Sequence, residues 1–205
     1  MVFVPPGTFL MGSDAMEADH SEHPLRRVFL PGFYIDTHEV TNAEFRQFDP
    51  SHTFPEGRED WPVVKVSKER AEAYAAWAGK RLPTSAEWEK AARGTDGRIY
   101  PWGNVFIPDM ANLGGRDSVM PVGSFPQGAS PYGALDMAGN AWEWVADTYC
   151  DQDHLGVGDN ERGIVRGGAY AYSPYQGRTS YLGFESENLT CNDLGFRCAK
   201  DAEPR

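Results

Sequence analysis

Between Gly94 and about residue 145 the chain carries no sustained apolar period of either a helix or a strand. It reads YPWGN, ANLGG, PVGSFPQG and YGALDMAGNAWEW, with single aromatics set among Gly, Pro and Asn. Such a stretch cannot be a bundle helix or a regular sheet. Buried irregular backbone leaves carbonyls and amides without ladder partners, so something else must organise them. Calcium is one candidate, because it takes about six to eight oxygens and accepts backbone carbonyls beside carboxylates. In DMAGNAWEW, Asp136 and Glu143 bracket a Gly139-Asn140-Ala141 turn able to present carbonyls inward, and Asn112 with Asp117 offers a second oxygen cluster. The alternative is that these Asp and Asn side chains bond their own turns.

The flanking segments are more regular. FVPPGTFLMGS and RRVFLPGFYID alternate in the manner of strands around the acidic loop DAMEADHSEH and predict an opening hairpin. Thr41, with Glu44 three residues on, forms a capping-box signature for a short helix NAEFRQF that Pro50 ends. A second helix follows Ser67, with Ala73, Tyr74, Trp77 and Ala78 on one face and Gly79 as its stop. A third begins at Thr84 or Ser85, with Trp88, Ala91 and Ala92 as its apolar stripe. The fold class is α+β. In 205 residues, 40% of them hydrophobic, the chain can bury a sizeable core as one domain or two small ones.

A net charge of −11 leaves no basic face for phosphates, since RR at 26–27 and KR at 80–81 are pairs rather than stripes, so neither nucleic acid nor an anionic membrane is expected as a partner. No apolar run approaches the ~20 residues that span a bilayer, and the start lacks a signal-type n-region and h-region. The expected location is cytoplasmic, either as a whole chain or as a domain cut from a longer one. Cys150, Cys191 and Cys198 lack CxxC spacing, which argues against a disulfide framework and a structural zinc site and for buried free thiols; Cys191 and Cys198 could pair if they face each other. Of the five histidines, His20, His23, His38, His52 and His154, the first two lie near Glu17 and Asp19, and the choice there is between a surface metal and a solvated acidic loop.

The ordered set FVPPGTFLMGS, FYIDTHEVTNAEFRQF, RLPTSAEWEKAARG, YPWGN, PVGSFPQGASPYGALDMAGNAWEW, VRGGAY and NDLGFRCA resembles the formylglycine-generating enzyme, or sulfatase-modifying factor, family over nearly the whole chain. The resemblance implies a single domain over 1–205 with a C-type-lectin-like variant fold, low in regular structure and stabilised by calcium. It implies one calcium site at Asp136, Gly139, Ala141 and Glu143, the middle two through their carbonyls. A second falls on Asn112 and the Leu113 carbonyl with Asp117, in a loop that looks shorter than the enzyme's.

The activity implied by that family is copper-dependent oxidation of a substrate cysteine to formylglycine, which requires two thiolates to hold Cu(I), a soft cation that selects sulfur. In the enzyme they follow the RGGS motif five residues apart. Here Ala169 replaces the serine, and Tyr172 and Gly177 occupy the thiol positions. That copper site cannot assemble from these residues. The iron-binding sulfoxide synthases of this fold use histidines partly from a helical domain absent here. The stretch RGGAYAYSPYQG instead has the composition of a recognition surface, because Tyr supplies rigid contact area and Ser and Gly adapt around it. Trp142, Tyr170, Tyr172, Tyr175, Gln176, Arg178 and Tyr181 are the expected ligand-binding residues, within a face built by residues 169–188. The partner expected there is an unidentified protein or peptide. Retroelement-diversified variable proteins share the fold, lack the cysteine pair and vary between an RGG-type motif and a closing GFR, a layout the interval Gly168 to Gly195 fits. The alternative is an oxidoreductase of the family, acting on peptidyl cysteine or in another metal-dependent oxidation.

Overall fold

The computed structural model describes residues 1–150 and 161–202, without the side chains of Cys150 and Glu161; the expectations for Cys150 and His154 lie outside the described residues. The opening hairpin forms. Strands β1 (Val2–Val4) and β2 (Gly7–Met11) run out, and β3 (Arg26–Leu30) and β4 (Phe33–Ile35) return antiparallel on them. The hairpin divides between two sheets, because β2 pairs only with β3, whereas β4 lies between β1 and β9 (Ala199–Asp201). The chain's two ends are thereby joined.

Helix α1 (Asn42–Phe48) starts where its capping signature places it, and α3 (Ser85–Arg93) starts within the expected Thr84 or Ser85. Thr41 and Thr84 each accept from the third residue on, and Glu44 and Glu87 reach back to close both capping boxes. Helix α2 (Lys68–Trp77) is capped by Ser67, but it buries a different face from the one its alanines suggest. Lys68, Ala71, Tyr74 and Ala75 point inward, whereas Ala73 is exposed and Trp77 is 53% exposed. The stripe begins one turn earlier, at a lysine whose ammonium reaches Glu187 at 2.8 Å and the Asp147 carbonyl at 3.2 Å. A charged residue at the head of an apolar stripe disguises it, and burial is tolerated because the charge is paired.

Between α3 and β5 (Trp142–Cys150) the described chain holds only two short 3-10 turns, at Pro108–Met110 and Pro126–Gly128. Strand β5 is the spine of the largest sheet, ordered β7 (Gly183–Glu185), β6 (Glu161–Arg166), β5, β8 (Leu194–Phe196), with β5 and β8 parallel. Its alternation divides the core. Trp142 and Trp144 enter a cluster with Phe45, Tyr74 and Phe196, while Val145 enters one with Trp88, Val4, Ile35 and Ile164. Glu143 points the same way as Val145, into the interior. Both its oxygens take the Arg197 guanidinium at 2.7 Å, and Oε2 also accepts the Trp88 indole N–H at 2.8 Å.

Helix α3 carries this centre, so its apolar stripe should outweigh the tryptophan of α2. Trp88→Ala is expected to cost about 3–5 kcal/mol, with the Glu143 hydrogen bond lost as well as the packing. Trp77→Ala should cost under about 1 kcal/mol. Urea denaturation of the two variants checks this, and comparable losses would refute the assignment of faces.

Candidate functional site

Buried Arg166 closes β6 and carries the segment that follows it. Its guanidinium donates to the carbonyls of Thr179, Ser180 and Tyr181 at 3.1–3.3 Å while Glu89 accepts from it at 3.0 Å. The chain leaves Arg166 through Gly167 and Gly168, both at positive φ, and doubles back so tightly that a Cβ on Gly168 would stand 3.0 Å from the Gln176 carbonyl oxygen. A second loop supports the outer edge, where the Gly114 and Arg116 amides donate to the Tyr172 and Tyr170 carbonyls, both at 2.8 Å.

Five of the seven expected ligand-binding residues form one continuous row. The Tyr172 ring meets Trp142 edge-on at 5.4 Å, Trp142 lies 6.1 Å from Tyr181, and Tyr181 lies 5.5 Å from Tyr175. Arg178 ends the row, its guanidinium 3.9 Å from the Tyr175 ring centre. Trp142 is buried beneath, while Tyr172 and Tyr175 are 36% and 38% exposed. Burial raises the phenols of Tyr172 and Tyr181, the first also through Asp193, so both stay neutral hydrogen-bonding groups over the physiological range. Gln176 sits beside the row and accepts from the Ser173 hydroxyl. Tyr170 stands apart, lining a separate cavity with Trp61 and Arg58.

The sequence reading passed over Glu22. The acidic loop is not simply solvated, since Glu22 is 3% exposed, ion-paired to Arg178 and bonded to the Ser180 hydroxyl. Asp19 caps the short helix His20–Glu22, and the Tyr175 hydroxyl lies 3.5 Å from its carboxylate. A carboxylate three residues after an Asp, the capping-box pattern, was the available signal. Among the described residues no group of three or more His, Cys, Asp or Glu side chains is arranged to hold a metal, the His20–His23 loop included.

The position of Gly177 bears on the copper site through its packing. A Cβ there would stand 2.2 Å from Cδ2 of the buried Leu113, so any side chain at 177, a thiol included, meets an occupied volume. Tyr172 offers only a neutral phenol. Cys191 and Cys198 are both free thiols, each kept protonated chiefly by burial. These residues do not fit Cu(I), which needs thiolates.

The expected calcium residues divide. Asn112 is buried, donates to Ser118 O and Asn140 Oδ1, and leaves its Oδ1 without a partner. Asp136 adopts φ +56 and accepts from the Gly123 amide; burial raises its carboxyl and, still more, that of the neighbouring Glu39, whose Oε2 has no partner. Among the described residues no donor reaches the Gly139 or Ala141 carbonyl. Unsatisfied oxygens of this kind suit a hard cation. Glu143 does not follow, because Arg197 and Trp88 already hold it. Leu113 is buried with its side chain against Gly177, and Asp117 is exposed on the loop after it. Asn140, at φ +64, links these groups by bonding Glu39, Asn112 and Met120.

The Sulfatase-modifying factor enzyme 1-like domain matches residues 1–202. The inactive C-alpha-formylglycine-generating enzyme 2 of Bos taurus is 31% identical over 272 aligned positions, covering 98% of this chain and 88% of that one. The formylglycine-generating enzyme of the same species is also 31% identical, over 283 positions, covering all of this chain and 75% of its own. Treponema denticola variable protein 1 superposes with a TM-score of 0.81 at 22% identity, covering 98% of this chain and 95% of that one, and so shares the fold.

If Leu113 fills the side-chain volume of residue 177, Gly177→Ala should cost about 1–3 kcal/mol by overpacking. The same change in a Leu113→Ala background should cost under about 0.5 kcal/mol. Additive losses in the double-mutant cycle would place the two residues out of contact.

Proposed function

We propose, from the premise that this chain belongs to the sulfatase-modifying factor enzyme 1-like family, that it works as a ligand- or protein-binding module rather than as a formylglycine generator. One observation carries the reading. Tyr172, where a copper thiolate would stand, extends the aromatic row over Trp142 with its ring exposed to solvent. Aromatic groups with a buried base and wet faces give large contact area at small entropic cost. The row is preorganised from below by Arg166 and from the side by Glu22 on Arg178, so little ordering is left for the binding step. The ligand it suits is a protein or peptide segment presenting backbone amides and apolar side chains. Gln176 and Arg178 would supply polar contacts at one end, and Tyr170 would lie outside the contact. Nucleic acid is a poor match for a chain of net charge −11. We read residues 1–205 as one domain acting away from membranes; no helix among the described residues is long and apolar enough to cross one.

Structural calcium belongs to the same reading. Asp136, the Gly139 and Ala141 carbonyls and the Asn112 amide oxygen would hold it, with the Leu113 carbonyl and Asp117 as outer members. Its chemistry there would be charge neutralisation, offsetting buried carboxylates that one arginine serves. Glu143 is assigned to Arg197 instead, so its replacement would harm the fold whether or not calcium binds.

Elemental analysis of purified protein, with an oxidation assay on a sulfatase-type Cys peptide and added copper, tests the non-generating assignment. Calcium without copper and no aldehyde product is expected. Stoichiometric copper or any turnover would return the chain to the oxidoreductases. Chelation should lower the melting temperature by several degrees, and an unchanged curve would remove the calcium claim. For the face itself, Tyr172→Ala should weaken capture of the same Cys peptide at least about tenfold while the melting temperature holds. Undiminished capture would place binding elsewhere.

A further inference from the structure

A cavity of about 700 Å³ opens between α1, the segment from Ser51 to Val66 and Tyr170, away from the Trp142–Tyr181 row. Its volume is that of a small-molecule site, for which about 300–1,000 Å³ is usual. Its walls are unusual for a chain with 30 acidic and 19 basic residues. Three cationic side chains, Arg58, Lys65 and Arg70, face it against two carboxylates, Asp49 and Asp117. Of the three, only Arg70 is ion-paired among the described residues, with Asp49.

The two remaining cations differ: Arg58 is half-buried against an aromatic ring, whereas Lys65 is exposed. The guanidinium carbon of Arg58 lies 4.1 Å from the centre of the Trp61 ring, and among the described residues its guanidinium meets no acceptor. A cation–π contact of this kind holds the guanidinium beside the ring, and no described group occupies its N–H donors, which suit a planar anion. Among the described residues Lys65 is the only cationic residue at positive φ, at +63, and its amide is tied to the Cys191 carbonyl at 2.9 Å. A non-glycine residue in that conformation costs of order 1 kcal/mol or more and persists only where surrounding structure enforces it. The Lys65 side chain lines the cavity. His52 adds no charge, since burial lowers its pKa and its ring Nε2 is paired with Asn42 Oδ1 at 2.9 Å. Phe45, Phe54, Trp61 and Tyr170 complete an aromatic lining.

We propose that this cavity binds a small ligand carrying a carboxylate on a planar apolar body. Arg58 takes the carboxylate in its fork, Lys65 neutralises it, and the aromatic walls enclose the ring. The small excess of positive charge favours one singly charged group over a phosphate dianion. Nothing in this assignment depends on the aromatic row, and the two sites can be occupied independently.

Titration of the full chain by two-dimensional NMR with indole-3-acetate, its primary amide and inorganic phosphate tests the proposal. Indole-3-acetate should shift Trp61 and its neighbours saturably and bind at least about tenfold tighter than the amide, the scale of a charge-assisted hydrogen bond. Arg58→Gln should abolish that preference, Lys65→Gln should weaken binding about threefold, and Lys200→Gln, an exposed change on β9, should leave it unaltered. Equal binding of acid and amide, an unaffected Arg58→Gln protein, or no saturable shift at Trp61 would overturn the assignment. Phosphate binding as tightly as indole-3-acetate would reduce the cavity to a simple anion patch.

Discussion

Buried guanidinium groups do in this protein what ladder hydrogen bonds do in regular folds. Arg93 donates to the carbonyls of Leu10, Gly12, Gly97 and Arg98, Arg166 to those of Ser85, Thr179, Ser180 and Tyr181, and Arg197 to those of Asp36, Thr37 and Leu135. A guanidinium carries five donors in a fixed fork, so one side chain can satisfy several carbonyls that have no strand partner. The charge is affordable because each is matched: Glu89 sits between Arg93 and Arg166, and Glu143 holds Arg197. Removing either glutamate would leave an arginine charged and unpaired in the interior, which costs more than the pair is worth.

This arrangement ties architecture to surface. Glu89 and Arg93 lie one turn apart on α3, Arg166 closes β6, and the carbonyls it serves belong to the strip beneath Tyr175 and Tyr181. The aromatic row is therefore held by the same network that seats the central helix. On its outer side, Glu22 clamps Arg178 from a loop more than 150 residues earlier in the chain. Fixed from both sides in this way, a segment made largely of Tyr, Ser and Gly has a defined shape.

Local signals were the legible part of the sequence. The capping box at Thr41, the start of α3 at Thr84 or Ser85, the stop at Gly79 and the opening hairpin depend on neighbours a few residues apart, and all are present. The face of α2 was misread because Lys68 stands where an apolar residue would announce the stripe. The irregular region was read as needing an organiser, with calcium as the candidate; the arginines of the RGG and GFR motifs work mostly outside it, since only Leu135 among their carbonyl partners lies between Gly94 and residue 145 and the farthest is 161 residues away. Glu143 shows the cost of that gap, since the turn around it reads as a metal loop and only the fold reveals that Arg197 occupies both oxygens. The cavity at Arg58 was not legible at all, because its walls come from four separate stretches of chain.

Gly177 separates two ways in which a chain can depart from a family's chemistry. A bare substitution of the thiols would leave their volume vacant and the old site restorable by two changes. Here Leu113, itself beside the expected calcium loop, reaches into the space a side chain at 177 would need, and Tyr172 has turned its ring onto Trp142. Restoring sulfur at those positions would require moving a buried leucine and breaking an aromatic contact together. The surroundings fit the residues now present, with Leu113 against Gly177 and Tyr172 against Trp142. The partly exposed ring of Tyr172 is continuous with a row whose backbone supports lie in the core.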